Sequence, residues 1–459
     1  MRKFLLISAA LSSLLMAKTV NFDTVLKESL NSNLELKAKK LNIDKAEADL
    51  KTAKGYDWGK LVFSEEISRT NNAMYVFGMK LESREATFKD FGFADFLAWQ
   101  MNGMHGDVLG MKPKDLNYPD ARSNFKTKFA YEVPLFTGFK LKYAKEMAKL
   151  QVIANKFKYA HDRSKLAVEV LKAYNGAVAA KYFIKALEKA KETTTSFVKM
   201  IENFKKVGMA TKTDLLQAKK RDSEVDAMLR EAKNKYALAL AYLRFLSSDD
   251  EISGVGDFKV IISSKSNLQM LKKTALQNRN DLKWMQKNVQ TMQKKVKMDS
   301  SIKYPTVGAH LEYGWNDNQF NNIDANKDYY LAAVGLNYTI FDKTRSAKIQ
   351  KSKIEAMQTA YYYKYMKKGI ALQVEQKFLN LQTKAAVLKN KIINKNLAEE
   401  ILNKYTYMYK QGMINMTILL MKEADARKAR AELIKAKYDE ALAAAELKAA
   451  IGDLVKESK

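Results

Sequence analysis

The chain has 459 residues with three histidines, His105, His161 and His310, and no cysteine. The histidines are far apart, and none sits at a spacing such as H-x-x-x-H that would present two imidazoles on one helix face to a metal. Without cysteine there is no disulfide, no thiolate chemistry and no lipid-anchored N-terminal cysteine. One stretch is richer in soft donors. Met101-Asn102-Gly103-Met104-His105, with Met74, Met79 and Met111 near it, would offer thioethers to Cu(I) or Ag(I). No paired histidine or Met-x-x-Met accompanies it, and flexible methionines also pack irregular loops, which is the role expected of these. No catalytic constellation, metal centre or cofactor site is expected, and no enzyme.

The elements that must carry these residues form a repeat. Residues 342–412 run without a proline and carry an apolar seam at 3-4 spacing: Ile370, Val374, Phe378, Leu381, Ala385, Leu388, Ile392. A continuous helix of that length reaches roughly 100 Å, far beyond what a globular core needs. Residues 137–208 form a second such run, with its seam at Leu166, Val170, Ala173, Ala177, Ala180, Ile184 and Leu187. Each run starts after a short alternating segment, ends at Gly208 or Gly412, and is followed by Thr213-Asp214-Leu215-Leu216 or Thr417-Ile418-Leu419-Leu420 and a returning helix. Asn33-Leu34-Glu35-Leu36 is echoed by Arg279-Asn280-Asp281-Leu282. The chain is an internal duplication.

Its 80 basic and 51 acidic residues give a formal charge of +29. The lysines are interleaved with glutamates along helical faces, with no dense block and no aromatic platform for bases, so solvated helix faces are expected and no nucleic acid. Arg2 and Lys3, the apolar or small residues Phe4 to Met16, and Ala17 before Lys18 have the layout of a cleaved secretory signal. No later stretch approaches about twenty uncharged apolar residues, so membrane entry after export has to use strands.

Strands are written in the period-two segments. Phe125, Thr127, Phe129, Tyr131 and Val133 alternate with Lys126, Lys128 and Glu132. Val307 to Trp315 and Tyr330 to Ile340 repeat the pattern, and Leu61 to Thr70 is a weaker fourth member. Lengths of about 10 residues suit a tilted membrane strand, and Tyr313, Trp315, Tyr329, Tyr330, Tyr338 and Phe341 sit at strand ends as interfacial aromatics do. Four strands cannot close a barrel whose smallest bacterial form has about eight, so the barrel has to be shared between subunits. Pro134 and Pro305 are expected at strand ends. Residues 71–121 read as a long outward loop with some helix. The expected division is a signal at 1–17, a first repeat at 18–247, a linker at 248–266 rich in turn residues, a second repeat at 267–453 and a tail at 454–459.

The ordered set of signal, strand pair, Val133-Pro134-Leu135-Phe136-Thr137-Gly138, long helix, Gly208 turn and returning helix, repeated through Tyr338-Thr339-Ile340-Phe341-Asp342 and Gly412, resembles the TolC family of outer-membrane efflux proteins. The resemblance covers nearly the whole chain after the signal. It implies a mainly α fold with a membrane β-barrel: a homotrimer in which each subunit gives four strands to a shared twelve-stranded barrel, above a long antiparallel α-helical barrel. It further implies a passive exit duct in a Gram-negative outer membrane, in contact with its lipid and extending into the periplasm. The duct would pass drugs, metal ions or proteins for a tripartite efflux pump or a type I secretion system. Its helical tips would meet a periplasmic membrane-fusion adapter coupled to an inner-membrane pump of RND, ABC or MFS type. The alternative reading is a periplasmic coiled-coil adapter or scaffold.

On this resemblance the adapter-contact residues are Gly208, Thr211, Thr213, Asp214, Gly412 and Thr417. Turn chemistry lets Gly208 and Gly412 reverse the chain and gives Thr213 and Thr417 the free N–H groups of the returning helices. Some members close the periplasmic mouth with acidic residues six and nine positions after the second glycine. Here those positions are Ile418 and Met421, which implies an apolar gate that closes by dewetting.

Overall fold

The structure, a computed structural model, describes residues 18–104, 106–259, 267–320 and 322–454. The expected signal, His105, residues 260–266 of the expected linker and 455–459 of the expected tail lie outside the described residues. In chain order the elements are β1 (Lys18–Val20), α1 (Phe22–Ser32), α2 (Leu34–Gly55), β2 (Lys60–Thr70), α3 (Ala73–Glu82), α4 (Phe93–Met101), α5 (Lys114–Asn117), β3 (Arg122–Phe136), α6 (Lys140–Lys206) and α7 (Lys212–Ser247). The second half holds β4 (Ile252–Val255), α8 (Leu268–Asn278), α9 (Asn280–Asp299), β5 (Thr306–Asp317), β6 (Asp328–Asn337), α10 (Thr344–Lys410) and α11 (Met416–Ala450). The described residues form two compact units, those within 1–45, 152–289 and 359–459, and those within 46–151 and 290–358.

The duplication is explicit in the helices. Both α6 and α10 have 67 residues, and the returning α7 and α11 have 36 and 35. The breaks also correspond. Asn33 interrupts α1 and α2, its Oδ1 accepting from the Leu36 N–H at 3.0 Å and its amide donating to the Leu246 carbonyl at 3.1 Å. Arg279 interrupts α8 and α9, its guanidinium held 2.6 Å from Asp281.

Within the helical unit, Val170, Leu171, Tyr174 and Val178 of α6 pack against Phe22, Val25, Leu240 and Leu243. Ile370 and Val374 of α10 pack against Leu271, Ala275 and Leu447. The α10 seam is less covered toward its later residues, where Ala385 and Ile392 are exposed, whereas Leu187 at the end of the α6 seam is buried. Charges fix how α10 and α11 run past each other. Lys377, Lys384 and Lys391, seven residues apart, pair with Glu446, Asp439 and Glu432 at 2.7, 3.1 and 2.6 Å, a heptad ladder of an antiparallel coiled coil. The expected linker at 248–266 is not all linker: β4 pairs in parallel with β1, because Ile252 and Val255 are buried beside Val20.

The other unit holds an antiparallel sheet in the order β2-β3-β5-β6. Phe63, Phe129, Tyr313 and Tyr330 face one another across all four strands, as do Leu61, Tyr131, Leu311 and Ala332. Pro134 lies inside β3 rather than at its end, and the register shift between Pro134 and Phe136 absorbs its missing N–H. Gly59, at φ +65°, precedes β2 where a Cβ would sit 2.0 Å from the Glu132 carbonyl oxygen. Tyr338 to Ile340, expected in the last strand, fall after β6 has ended at Asn337. Among the described residues, the outer edges of β2 and β6 have no strand partner.

Asp222 ties α7 to α6. Its carboxylate accepts from Lys191 at 2.6 Å, Thr194 at 2.8 Å and Thr195 at 3.0 Å. Burial would raise its pKa, but these donors outweigh burial and hold it below the usual value. A depressed pKa stabilises the fold above the unfolded value of about 3.9 and stops doing so as the pH falls through the folded one. Asp222→Asn is expected to lower stability by about 1.5–3 kcal/mol at pH 7. The gap from the parent protein, read as the unfolding midpoint by circular dichroism in detergent, should close as the pH drops below about 3.9.

Candidate functional site

At the hairpin tips, both long helices end in the same turn. The Gly208 N–H donates to the Lys205 carbonyl at 3.2 Å and the Met209 N–H to Phe204 at 2.8 Å. Gly412 and Met413 repeat this on Tyr409 and Met408, both at 3.0 Å. The glycines stand at φ +78° and +73°, with no atom within 4 Å of a built Cβ, so conformation and not crowding calls for glycine.

The returning helices begin differently. Thr211 caps α7: its hydroxyl oxygen accepts from the Asp214 N–H at 3.1 Å, while the Asp214 carboxylate accepts from the Thr211 N–H at 2.9 Å. Asn415 caps α11, accepting from the Ile418 N–H at 3.0 Å, and Ile418 has no carboxylate to return the bond. Thr213 and Thr417 are therefore not the caps. A cap needs an extended backbone, as at Thr211 and Asn415, whereas these threonines are already helical. The Thr211-x-x-Asp214 pattern carries the signal for the first cap. Thr417 instead donates to Gln217 Oε1 at 3.3 Å, joining the two returning helices.

Both tips share one apolar core. Phe197 and Ile201 of α6, Ala218 of α7, Leu402 and Tyr409 of α10, and Met416, Leu419 and Leu420 of α11 are buried together. Burial, with the charge of Asp214 nearby, pushes the Tyr409 hydroxyl above its usual pKa. Ile418 is half-buried and Met421 exposed. A further group was hidden in the sequence. Glu423, 2% exposed, accepts from Arg427 Nε at 3.2 Å and lies 3.9 Å from Arg221 Nε on α7. In the run Lys422 to Arg430 it reads as one more solvated charge.

The sheet has two chemically distinct faces. On one, Tyr330, Val334 and Leu336 are bare, with Phe63, Phe129 and Tyr313 beside them. On the other, Lys128 pairs with Glu312 at 3.1 Å and Lys60 with Glu132 at 3.0 Å, and His310 stands 3.4 Å from Glu312. Tyr329, expected among the outward aromatics, faces this polar side and donates to Glu312 at 2.6 Å. Strand parity decides it: Tyr329 lies opposite Gly314, in the row of Lys128.

The remaining chemistry-bearing residues do not converge. His161 is half-buried in a cleft with Arg279 and Asp281, and burial pushes its pKa down. Met74, Met101 and Met104 are exposed, Met111 is half-buried and Met79 is buried, so only part of the set packs the loop. Among the described residues no three His, Asp or Glu side chains are grouped to hold a metal, and no helix is long and apolar enough to cross a membrane.

No curated protein matches the chain in sequence. In structure it is similar to the CmeC outer membrane channel of Campylobacter jejuni, with a TM-score of 0.77 at 14% identity over 95% of this chain and 87% of that one. A membrane protein from Pseudomonas aeruginosa gives 0.76 at 15% identity over 94% and 93%. The outer membrane protein VceC of Vibrio cholerae gives 0.74 at 13% over 94% and 96%. At such identities these likenesses establish the fold, which is that of a TolC-like channel subunit. Residues 25–248 and 271–453, one segment per repeat, match the family model described as outer membrane efflux protein, and the chain belongs to that family.

Proposed function

We propose that three copies of this chain close a twelve-stranded barrel in the outer membrane of a Gram-negative cell and an α-helical barrel in its periplasm. The assembly is a passive exit duct for a tripartite efflux pump or a type I secretion system. The observation that carries this reading is the four-stranded sheet with two unpaired edges and a bare apolar face. Lipid offers no hydrogen bonds to a strand edge, so a spanning sheet has to close on itself, and here closure needs further copies. Val307 to Trp315 covers roughly 27 Å of strand, which tilted fits an apolar band of about 25 Å. The helices support the same partner. Tyr365, Leu372, Leu379 and Ile393, at multiples of seven, form an exposed apolar stripe on α10, away from the Ile370–Val374 face that α8 and α11 cover.

The tips, with Gly208, Thr211, Thr213, Asp214, Gly412 and Thr417, are the surface for a periplasmic membrane-fusion adapter, which couples the duct to an inner-membrane pump. Ile418 and Met421 form the periplasmic gate. Energy comes from the partners, and no catalytic step belongs to this chain. A periplasmic scaffold would have no use for a sheet whose apolar face is bare.

Detergent-extracted protein is expected to be a trimer by light scattering and a long hollow cylinder by negative-stain microscopy; a monomer or dimer without a barrel would sink the duct. For the gate, Ile418→Asp with Met421→Asp should make the reconstituted channel newly sensitive to multivalent cations added from the periplasmic side. A half-blocking concentration lower by about tenfold corresponds to about 1.4 kcal/mol of binding at the new carboxylate ring. Unchanged block would remove these two residues from the gate.

A further inference from the structure

We propose that the insert between β2 and β3 is moored across the polar face of the sheet at its outer end and forms a second constriction, at the exit of the duct. This rests on the trimeric reading above, because the polar face becomes the lumen wall only when the barrel closes.

The geometry follows from where α3 ends. Glu82, its last residue, stands 3.9 Å from Lys126 of β3. Lys126 belongs to the polar row: its ammonium lies 5.5 Å over the ring of Tyr329, which donates to Glu312, which in turn accepts from Lys128 at 3.1 Å. The insert thus joins a continuous network on the face opposite Phe129, Tyr313 and Tyr330. In an outer-membrane barrel the apolar face meets lipid and the polar face lines the bore. A segment fastened to Lys126 therefore stands in the bore and not against lipid.

The residues after Glu82 make the mooring firm. Arg122, the first residue of β3, donates to the fully buried Ser83 hydroxyl at 2.9 Å and pairs with Glu85. Glu85 also pairs with Lys327, whose ammonium is 2.8 Å from Asp317. Arg122 and Lys327 keep 12% and 16% of their side-chain exposure, so these pairs are desolvated unlike ordinary surface ion pairs, and removing one partner leaves a costly charge. Arg84 adds a conformational argument. It adopts φ +55°, rare for a residue with a side chain, while its guanidinium donates to the carbonyls of Asn326 at 2.8 Å and Asp328 at 2.6 Å. Such a backbone persists where its surroundings over-determine it. The Ser83–Glu85 corner is thereby locked to the β5–β6 turn, and Lys80 with Asp90 and Thr87 ties the following turn back onto α3. Glu85, Arg84 and Arg122 are positioning residues. What they position is the ordered mass of the insert, repeated three times around the exit.

The absence of native cysteine makes the test direct. Ala333→Cys puts one thiol on the polar face of β6, in the row of His310 and Glu132, below the insert. Intact cells are treated from outside with a small maleimide or with a bulky polyethylene-glycol maleimide. The small reagent is expected to label Ala333→Cys and the bulky one to label it slowly. Adding Glu85→Ala, or replacing the insert by a short glycine-serine linker, should speed bulky labelling about tenfold while small-reagent labelling stays constant. Val334→Cys, on the apolar face, should resist both reagents. Equal bulky labelling with and without the insert, or labelling of Val334→Cys in place of Ala333→Cys, overturns the proposal. Light scattering on the same variants separates this failure from failure of the trimer, since a trimer with an unobstructed exit contradicts only the constriction.

Discussion

Backbone hydrogen bonding in a medium without water is the constraint on which the rest depends. Every strand N–H and C=O at membrane depth needs a partner inside the protein. This chain pairs β3 and β5 on both sides and leaves β2 and β6 each with an open edge. Its apolar rows run unbroken from Phe63 through Tyr330, so the sheet suits lipid on one side only. Such a sheet supports the proposed assembly of several copies, and the bare stripe on α10 is the helical counterpart of the same incompleteness.

Duplication explains how so little regular core holds such long helices. Each repeat supplies a long and a returning helix, and each long helix packs on elements of its own repeat, α6 on α1 and α7 and α10 on α8 and α11. At the tips the two copies merge into one apolar core around Leu419 and Ile201. The copies have diverged where they begin their returning helices. Thr211 and Asp214 cap each other reciprocally, while Asn415 caps alone and frees Ile418 to be apolar. Matching turns thus carry different chemistry at corresponding positions, as the gate proposed at Ile418 and Met421 requires.

Much of this was legible in the sequence because it is written in period and punctuation. The 3-4 seams, the missing prolines and the two glycines define α6 and α10 to within a few residues, and alternation defines the sheet faces. What was not legible depends on partners far away in the chain. β4 lies in a turn-rich stretch and becomes a strand because β1, more than two hundred residues earlier, covers Ile252 and Val255. Pro134 read as a strand end because the register shift that accommodates it involves β5. Tyr329 read as an outward aromatic because its polar partner, Glu312, is set by strand parity. Counting from the glycine points to Thr213 and Thr417 as caps, whereas the backbone turns into the helix two residues sooner.

Glu423 and the α10–α11 ladder bear on the large positive charge. In sequence, Lys377, Lys384 and Lys391 are three of many lysines. In space, they meet Glu446, Asp439 and Glu432 in register, and a slip of one heptad would leave an end pair unmatched. Each half-exposed pair contributes little to stability, about 0.2–1 kcal/mol, but a slipped register loses pairs along an apolar seam that by itself distinguishes neighbouring heptads poorly. The seam supplies the attraction and the charges select the alignment. Glu423 does the related task at the tip end of α11, where it is buried between Arg221 and Arg427 and costs far more to leave unpaired. The ladder lysines are matched one for one by carboxylates and fix how long, nearly featureless rods lie against one another, so the excess of +29 is carried by other residues.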